Sequence, residues 1–92
     1  MNAYIVVESN ILDAEKLAEY STLAAKTVNE FDGEFIFKGP IETLHGETSF
    51  TNKAVIKFLS EEQAKAWYHS DHYQALTSLR EQAMSSQFHL VY

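Results

Sequence analysis

The signals along this chain run β-α-β-β-α-β. That order predicts an α+β, ferredoxin-like fold, with a four-stranded antiparallel sheet and its helices on one face. Three observations carry the prediction. Four short stretches are rich in β-branched and aromatic residues. Two longer stretches repeat apolar residues with helical spacing behind a capping residue. Each helical stretch is long enough for a right-handed crossover between strands.

Ala3 to Val7 (AYIVV) is a short apolar run that reads as a strand buried on both faces. Asp13 is placed to cap a helix from Ala14 to about Phe31. Leu17, Tyr20, Ala24, Val28 and Phe31 form its apolar stripe, with Glu15, Lys16, Glu19 and Lys26 outside it. Asp32-Gly33 ends that helix, with the glycine expected to supply the left-handed conformation. Glu34 to Lys38 (EFIFK) sets Phe35 and Phe37 against Glu34, Ile36 and Lys38, a strand alternation that Gly39-Pro40 interrupts. Ile41 to Glu47 is expected to continue extended, and Thr48 to Asn52 to be loop. Lys53 to Leu59 is the third strand. Gln87 to Tyr92 is the fourth, with Phe88, Leu90 and Tyr92 on one side.

The chain is organised around Ser60 to Arg80 (SEEQAKAWYHSDHYQALTSLR). Ser60 and Gln63 make a capping box, and Leu59 and Ala64 can staple it. Glu61 and Glu62 suit the positive end of the helix dipole. Ala64, Trp67 and Tyr68 then share a face. The pattern breaks at His69-Ser70-Asp71, where Ser70 or Asp71 can cap a second piece bearing Leu76, Leu79, Arg80 and Ala83. Two helical pieces joined at Ser70 would bring Trp67, Tyr68, Tyr73 and Arg80 together.

With 92 residues the chain is expected to form a single domain over 1–92. A domain of this size buries roughly 60% of its unfolded surface. Yet 46% of the residues are hydrophobic. A first strand apolar on both sides would leave one sheet face uncovered, and a second copy packed sheet to sheet is the simplest remedy. A homodimer is therefore expected. The net charge of −6 argues against nucleic acid and anionic membranes as partners. The third strand, KAVIKF, lacks the basic aromatic motif of RNA-recognition domains. With no Cys there is neither a disulfide nor a CxxC metal site. The run Ala3 to Val7 is too short for a signal-peptide core or a membrane span, which makes a soluble cytoplasmic protein the expectation.

Ser70, Asp71 and His72 have the residue types of a catalytic triad, but sequence neighbours point in different directions. A capping turn explains them better. The pair His69-x-x-His72, with Asp71 between, spans a kink rather than one regular turn and lacks a clear further ligand, so no metal site is expected. His45 and His89 are isolated. Trp67 and Tyr68 read first as core aromatics. Tyr73 is equally suited to keeping its hydroxyl in a cavity. Arg80 either pairs with a carboxylate or anchors an anionic ligand.

The run A-x-x-W-Y-x-S-x-x-Y-Q-x-L-x-x-x-R, here Ala64, Trp67, Tyr68, Ser70, Tyr73, Gln74, Leu76 and Arg80, resembles the signature of domain-of-unknown-function family 1330. Tyr20, the turn Phe31-Asp32-Gly33-Glu34-Phe35 and Glu42-x-Leu44-x-Gly46 fit as well. That turn more usually carries Gly-Gly where this chain has Asp32-Gly33. The resemblance spans nearly the whole chain. It implies a ferredoxin-like subunit of a dimeric α/β barrel and leaves the chemistry open, since similar barrels include cofactor-free monooxygenases, lactone isomerases and haem enzymes. The first reading is a homodimeric barrel binding a small, carboxylate-bearing molecule near the helix kink, without a cofactor, with Tyr20, Trp67, Ser70, Tyr73 and Arg80 as candidate ligand contacts. A cofactor-free enzyme is one form of it. A noncatalytic dimeric module is the rival, and a histidine-based haem or metal enzyme the third.

Overall fold

The computed structural model describes residues 1–92. Its elements in order are β1 (Ala3–Ile11), α1 (Ala14–Glu30), β2 (Glu34–Pro40), β3 (Asn52–Phe58), α2 (Glu61–Tyr68), α3 (Asp71–Gln74), α4 (Thr77–Ala83) and β4 (Met84–Val91). The sheet order is β2-β3-β1-β4 and every neighbouring pair is antiparallel. This is the ferredoxin-like arrangement the sequence predicts. Both β1 and β4 are longer than their apolar signal. β1 runs on through Glu8, Ser9 and Asn10, and β4 begins at Met84, because each supplies the other's ladder from Tyr4↔Val91 to Ile11↔Met84.

Asp13 caps α1, its carboxylate accepting from the Lys16 amide at 3.1 Å. The helix ends differently from expectation. Asp32, not Gly33, takes the left-handed conformation, with φ of 56°. Gly33 is required for space instead. A Cβ there would stand 2.6 Å from Phe58 Cε1 and 2.9 Å from Val28 Cγ1, well inside contact distance.

The alternation expected for Glu34 to Lys38 fails in the middle of β2. Phe35 pairs with Ile56, but Phe37 pairs with Val55, so the register shifts by one residue. This is a β-bulge. Cross-strand partners share a face. Phe35 therefore lies on the inner, helix-covered face with Ile56, while Phe37 lies on the outer face with Val55. Lys38, opposite Ala54, is carried to the inner face. The strand also continues through Gly39-Pro40, and the extended path expected for Ile41 to Glu47 is instead irregular chain.

Ser60 caps α2 as its spacing indicates, accepting from the Gln63 amide at 3.1 Å. The other half of the capping box does not form. The Gln63 side chain donates to the Phe31 carbonyl at 2.7 Å, which ties the end of α1 to the start of α2. Leu59 stays exposed. Ser70 is the second cap, but the following helix breaks again at Ala75-Leu76, giving three pieces rather than two. Leu76 N bonds to Tyr73 O over a tight turn, and the Thr77 hydroxyl takes the Gln74 carbonyl. Such side-chain competition for a carbonyl disfavours a continuous helix.

One core lies between sheet and helices. It joins Ile5 and Val7 of β1, Ile56 and Phe58 of β3 and Met84 of β4 to Tyr20, Ala24 and Val28 of α1 and to Ala64, Trp67 and Tyr73. Within one protomer β1 buries only its inner face: Ala3, Ile5 and Val7 are buried, whereas Tyr4 and Val6 on the outer face are half-buried. Val55 is also half-buried there, and Phe37 is 47% exposed.

Candidate functional site

Ser70 organises the turn between α2 and α3 in both directions. Its hydroxyl donates to the Trp67 carbonyl at 2.7 Å and accepts from the Tyr73 amide at 3.2 Å. The turn therefore holds Trp67 and Tyr73 in fixed relation, ring centroids 4.3 Å apart. Both are essentially fully buried. The Trp67 indole donates to the Thr27 hydroxyl at 3.0 Å, and Thr27 donates to the Ala24 carbonyl at 2.7 Å. Thr27 is the one buried polar residue, and it leaves no buried side-chain atom of this group unpartnered.

The Tyr73 hydroxyl lies 2.6 Å from that of Tyr20 on α1. Arg80 Nη1 donates to Tyr68 at 3.1 Å and to Tyr73 at 3.3 Å. Its Nε donates to Glu81 Oε1 at 3.0 Å, and Nη2 lies 2.9 Å from the same oxygen. All three guanidinium nitrogens are thus engaged, and the guanidinium also stacks over the Phe88 ring at 5.0 Å. Burial pushes the Tyr20 phenol far above its usual range, and the neighbouring Tyr73 adds to this. Burial also raises Tyr73, partly offset by hydrogen bonds from Tyr20 and Arg80. Both phenols are neutral near pH 7. For Arg80, burial opposes the charge, but the bonds to Tyr73, Tyr68 and Glu81 outweigh it and hold its pKa above the ordinary value.

Beside this network, between α1 and the inner face of the sheet, is a cleft of about 190 Å³. Tyr20, Ala24, Trp67, Phe35, Ile56 and Phe88 form much of its wall. Its polar lining includes Ser9, Ser21, Asn52 and Lys38. The cleft is displaced from the kink where a pocket was expected. Of the five candidate residues, Tyr20 and Trp67 line it; Ser70, Tyr73 and Arg80 do not, because their polar groups are consumed in the network behind it. The predicted convergence of Trp67, Tyr68, Tyr73 and Arg80 is present. No three His, Asp or Glu side chains come together as a metal site. His72 Nδ1 instead lies 2.8 Å from Glu30 Oε2 at the surface.

Sequence reasoning missed Thr27 and Lys38. Thr27 sits on the expected buried stripe of α1 between Ala24 and Val28, so helical spacing could have found it. Lys38 could not be found by alternation, since only the bulge turns it inward.

The fold and its interior cleft define an α+β protein of the ferredoxin-like class. The chain belongs to the family described as Domain of unknown function (DUF1330), whose model matches residues 2–92. No functionally curated protein matches the sequence. Among solved structures, it is similar to a protein of unknown function from Rhodopseudomonas palustris, with TM-score 0.80, 13% identity, and 98% of this chain and 80% of that one covered. It is also similar to a dimeric ferredoxin-like protein of unknown function from Jannaschia sp. CCS1, with TM-score 0.76, 12% identity, and 100% and 99% covered. A third is SnoaB, a cofactor-independent oxygenase from Streptomyces nogalater, with TM-score 0.63, 11% identity, and 99% and 91% covered. At these identities the likeness is one of fold. No helix is long and apolar enough to cross a membrane.

Proposed function

We propose that the protein acts as a homodimer, with two outer sheet faces packed into an α/β barrel, and that each protomer takes a small apolar molecule into the cleft between α1 and the sheet. The observation that carries the ligand reading is the cleft itself: an apolar space backed by Tyr20 and Trp67, both fixed by hydrogen bonds on the side away from it. Pre-formed apolar clefts with a few polar groups are the usual form of a small-molecule site. In this reading Tyr20 and Trp67 touch the ligand, while Ser70, Tyr73 and Arg80 position them. The dimeric neighbour from Jannaschia supports the assembly. So does the outer face, where Tyr4, Val6, Val55 and Phe37 are open. By register, that face also carries Glu8 opposite Lys53 and Glu34 opposite Lys57, a mixed pattern that a two-fold axis can match to itself. The cofactor-independent oxygenase supports a catalytic version of the same site.

Light scattering on the wild type and on Val55→Glu tests the assembly. A dimer that Val55→Glu converts to monomer is the expected result, and a monomeric wild type overturns it. Trp67 is the single Trp and lines the cleft, so its fluorescence reports occupancy. Small apolar ligands should change it in the wild type and not in Ala54→Phe, which fills the cleft. An unchanged signal in the wild type removes the ligand reading.

A further inference from the structure

We infer that the cleft selects a small monocarboxylate, an apolar ring or short branched chain with one anionic head, and that Lys38 is its anchor. The inference rests on the reading of the cleft as a ligand site. Its first ground is charge. The chain has thirteen acidic residues against seven basic ones, yet no acidic residue lines the cleft, and Lys38 stands on the inner face at its edge. An anion is repelled by the protein at large and meets a locally positive rim here.

The second ground is geometry. The bulge in β2 places Lys38 on the inner face, opposite Ala54. Its Nζ lies over the Phe35 ring, 4.4 Å from the centroid. Phe35 is itself part of the cleft wall, so the ammonium is held at the cleft. Lys38 has no carboxylate partner, whereas Lys65 and Arg80 each have one. The same end of the sheet carries Asn52 opposite Ser9, both on the lining, which adds neutral hydrogen-bonding groups beside the cation. Arg80, the other cation suited to a carboxylate, is spent on Glu81 and two phenols.

The third ground is size. An apolar cavity of about 150 Å³ accepts a benzene molecule. The 190 Å³ here fits one six-membered ring with a short substituent, and falls well below a site for a nucleotide or a fused-ring cofactor. A ring against the apolar wall of the cleft with its carboxylate at Lys38 satisfies all three grounds. The ammonium is exposed, so water and salt screen the contact and its contribution is modest.

The test uses benzoate and phenylacetate against their uncharged counterparts benzamide and benzyl alcohol, read by Trp67 fluorescence in the wild type, Lys38→Gln and Lys38→Arg. The carboxylates should bind roughly fivefold more tightly than the neutral compounds in the wild type, as expected for one screened ionic contact. That preference should vanish in Lys38→Gln and survive in Lys38→Arg, while neutral ligands bind all three alike. Equal binding of charged and neutral compounds to the wild type overturns the inference and leaves the cleft as a ligand site. A preference that persists in Lys38→Gln removes Lys38 as the anchor. Binding of none of the four overturns both readings.

Discussion

The hydroxyls of Tyr20 on α1 and Tyr73 on α3 lie 2.6 Å apart across 53 residues of sequence. The Tyr73 hydroxyl also accepts from Arg80 Nη1 at 3.3 Å. Tyr73→Phe strips a partner from both and should cost about 1–3 kcal/mol, more than Tyr20→Phe, which leaves Tyr73 with Arg80. The double variant should cost less than the sum of the two by about 0.5–1.5 kcal/mol. Denaturant unfolding of the four proteins measures this, and strict additivity would show that the hydroxyl pair is not coupled.

Thr27 holds the buried indole of Trp67. Thr27→Val keeps the shape and orphans the Nε1–H, at a cost of about 1–3 kcal/mol. Thr27→Ser keeps the hydroxyl and loses only a methyl, about 0.8 kcal/mol. If Ser proves worse than Val in urea unfolding, packing rather than the hydrogen bond is what Thr27 contributes.

Neighbours in the α1–β2 turn should respond oppositely. Gly33→Ala drives a methyl into Phe58 and Val28 and should destabilise by about 1–3 kcal/mol. Asp32→Gly places glycine at the positive φ and should stay within about 0.5 kcal/mol of the wild type. Thermal unfolding of both variants checks the pair, and a harmless Gly33→Ala would contradict the close approach to Phe58.

His72 titrates above its ordinary value of 6.5, first because of its hydrogen bond to Glu30 and then because of that carboxylate's charge. A pKa raised by folding stabilises the protein fully below the unfolded value. That stability is lost as pH rises through the folded value. Stability should therefore decline slightly from about pH 6.5 upward. The decline should disappear in Glu30→Gln, together with the raised His72 titration seen by NMR. An unchanged titration in that variant would remove the pair.

The order of elements, the Ser60 and Asp13 caps and the inward set of β4 were all legible in the sequence, because each rests on local chemistry that the tertiary structure reinforces. Ser60 and Asp13 accept amides three residues on, as their spacing indicates. What was not legible depends on a partner far away in sequence. Gln63 deserts its capping box for the Phe31 carbonyl, 32 residues distant. The bulge exists only against β3, so the facing of Phe37 and Lys38 cannot be read from EFIFK alone. Gly33 is small because of Phe58, not because of its own backbone. The candidate site divides the same way: the inward face of Trp67 follows from helical spacing, while the cleft needs the sheet.

The bulge in β2 has a further consequence, for growth of the sheet at its rims. Both β2 and β4 are edge strands with one unpaired row of backbone groups. The β2 rim carries a register break, a charged Lys38 and a Pro40 without an N–H, all of which obstruct the docking of another strand. β4 pairs with β1 in unbroken register, and its sequence MSSQFHLV has no proline, acid, Lys or Arg. Templated addition of a foreign strand is therefore polar, blocked at one rim and open at the other. A charge at the open rim should slow aggregation: Gln87→Lys should lengthen the lag before thioflavin-positive assembly at elevated temperature, and an unaltered lag would place the aggregating edge elsewhere.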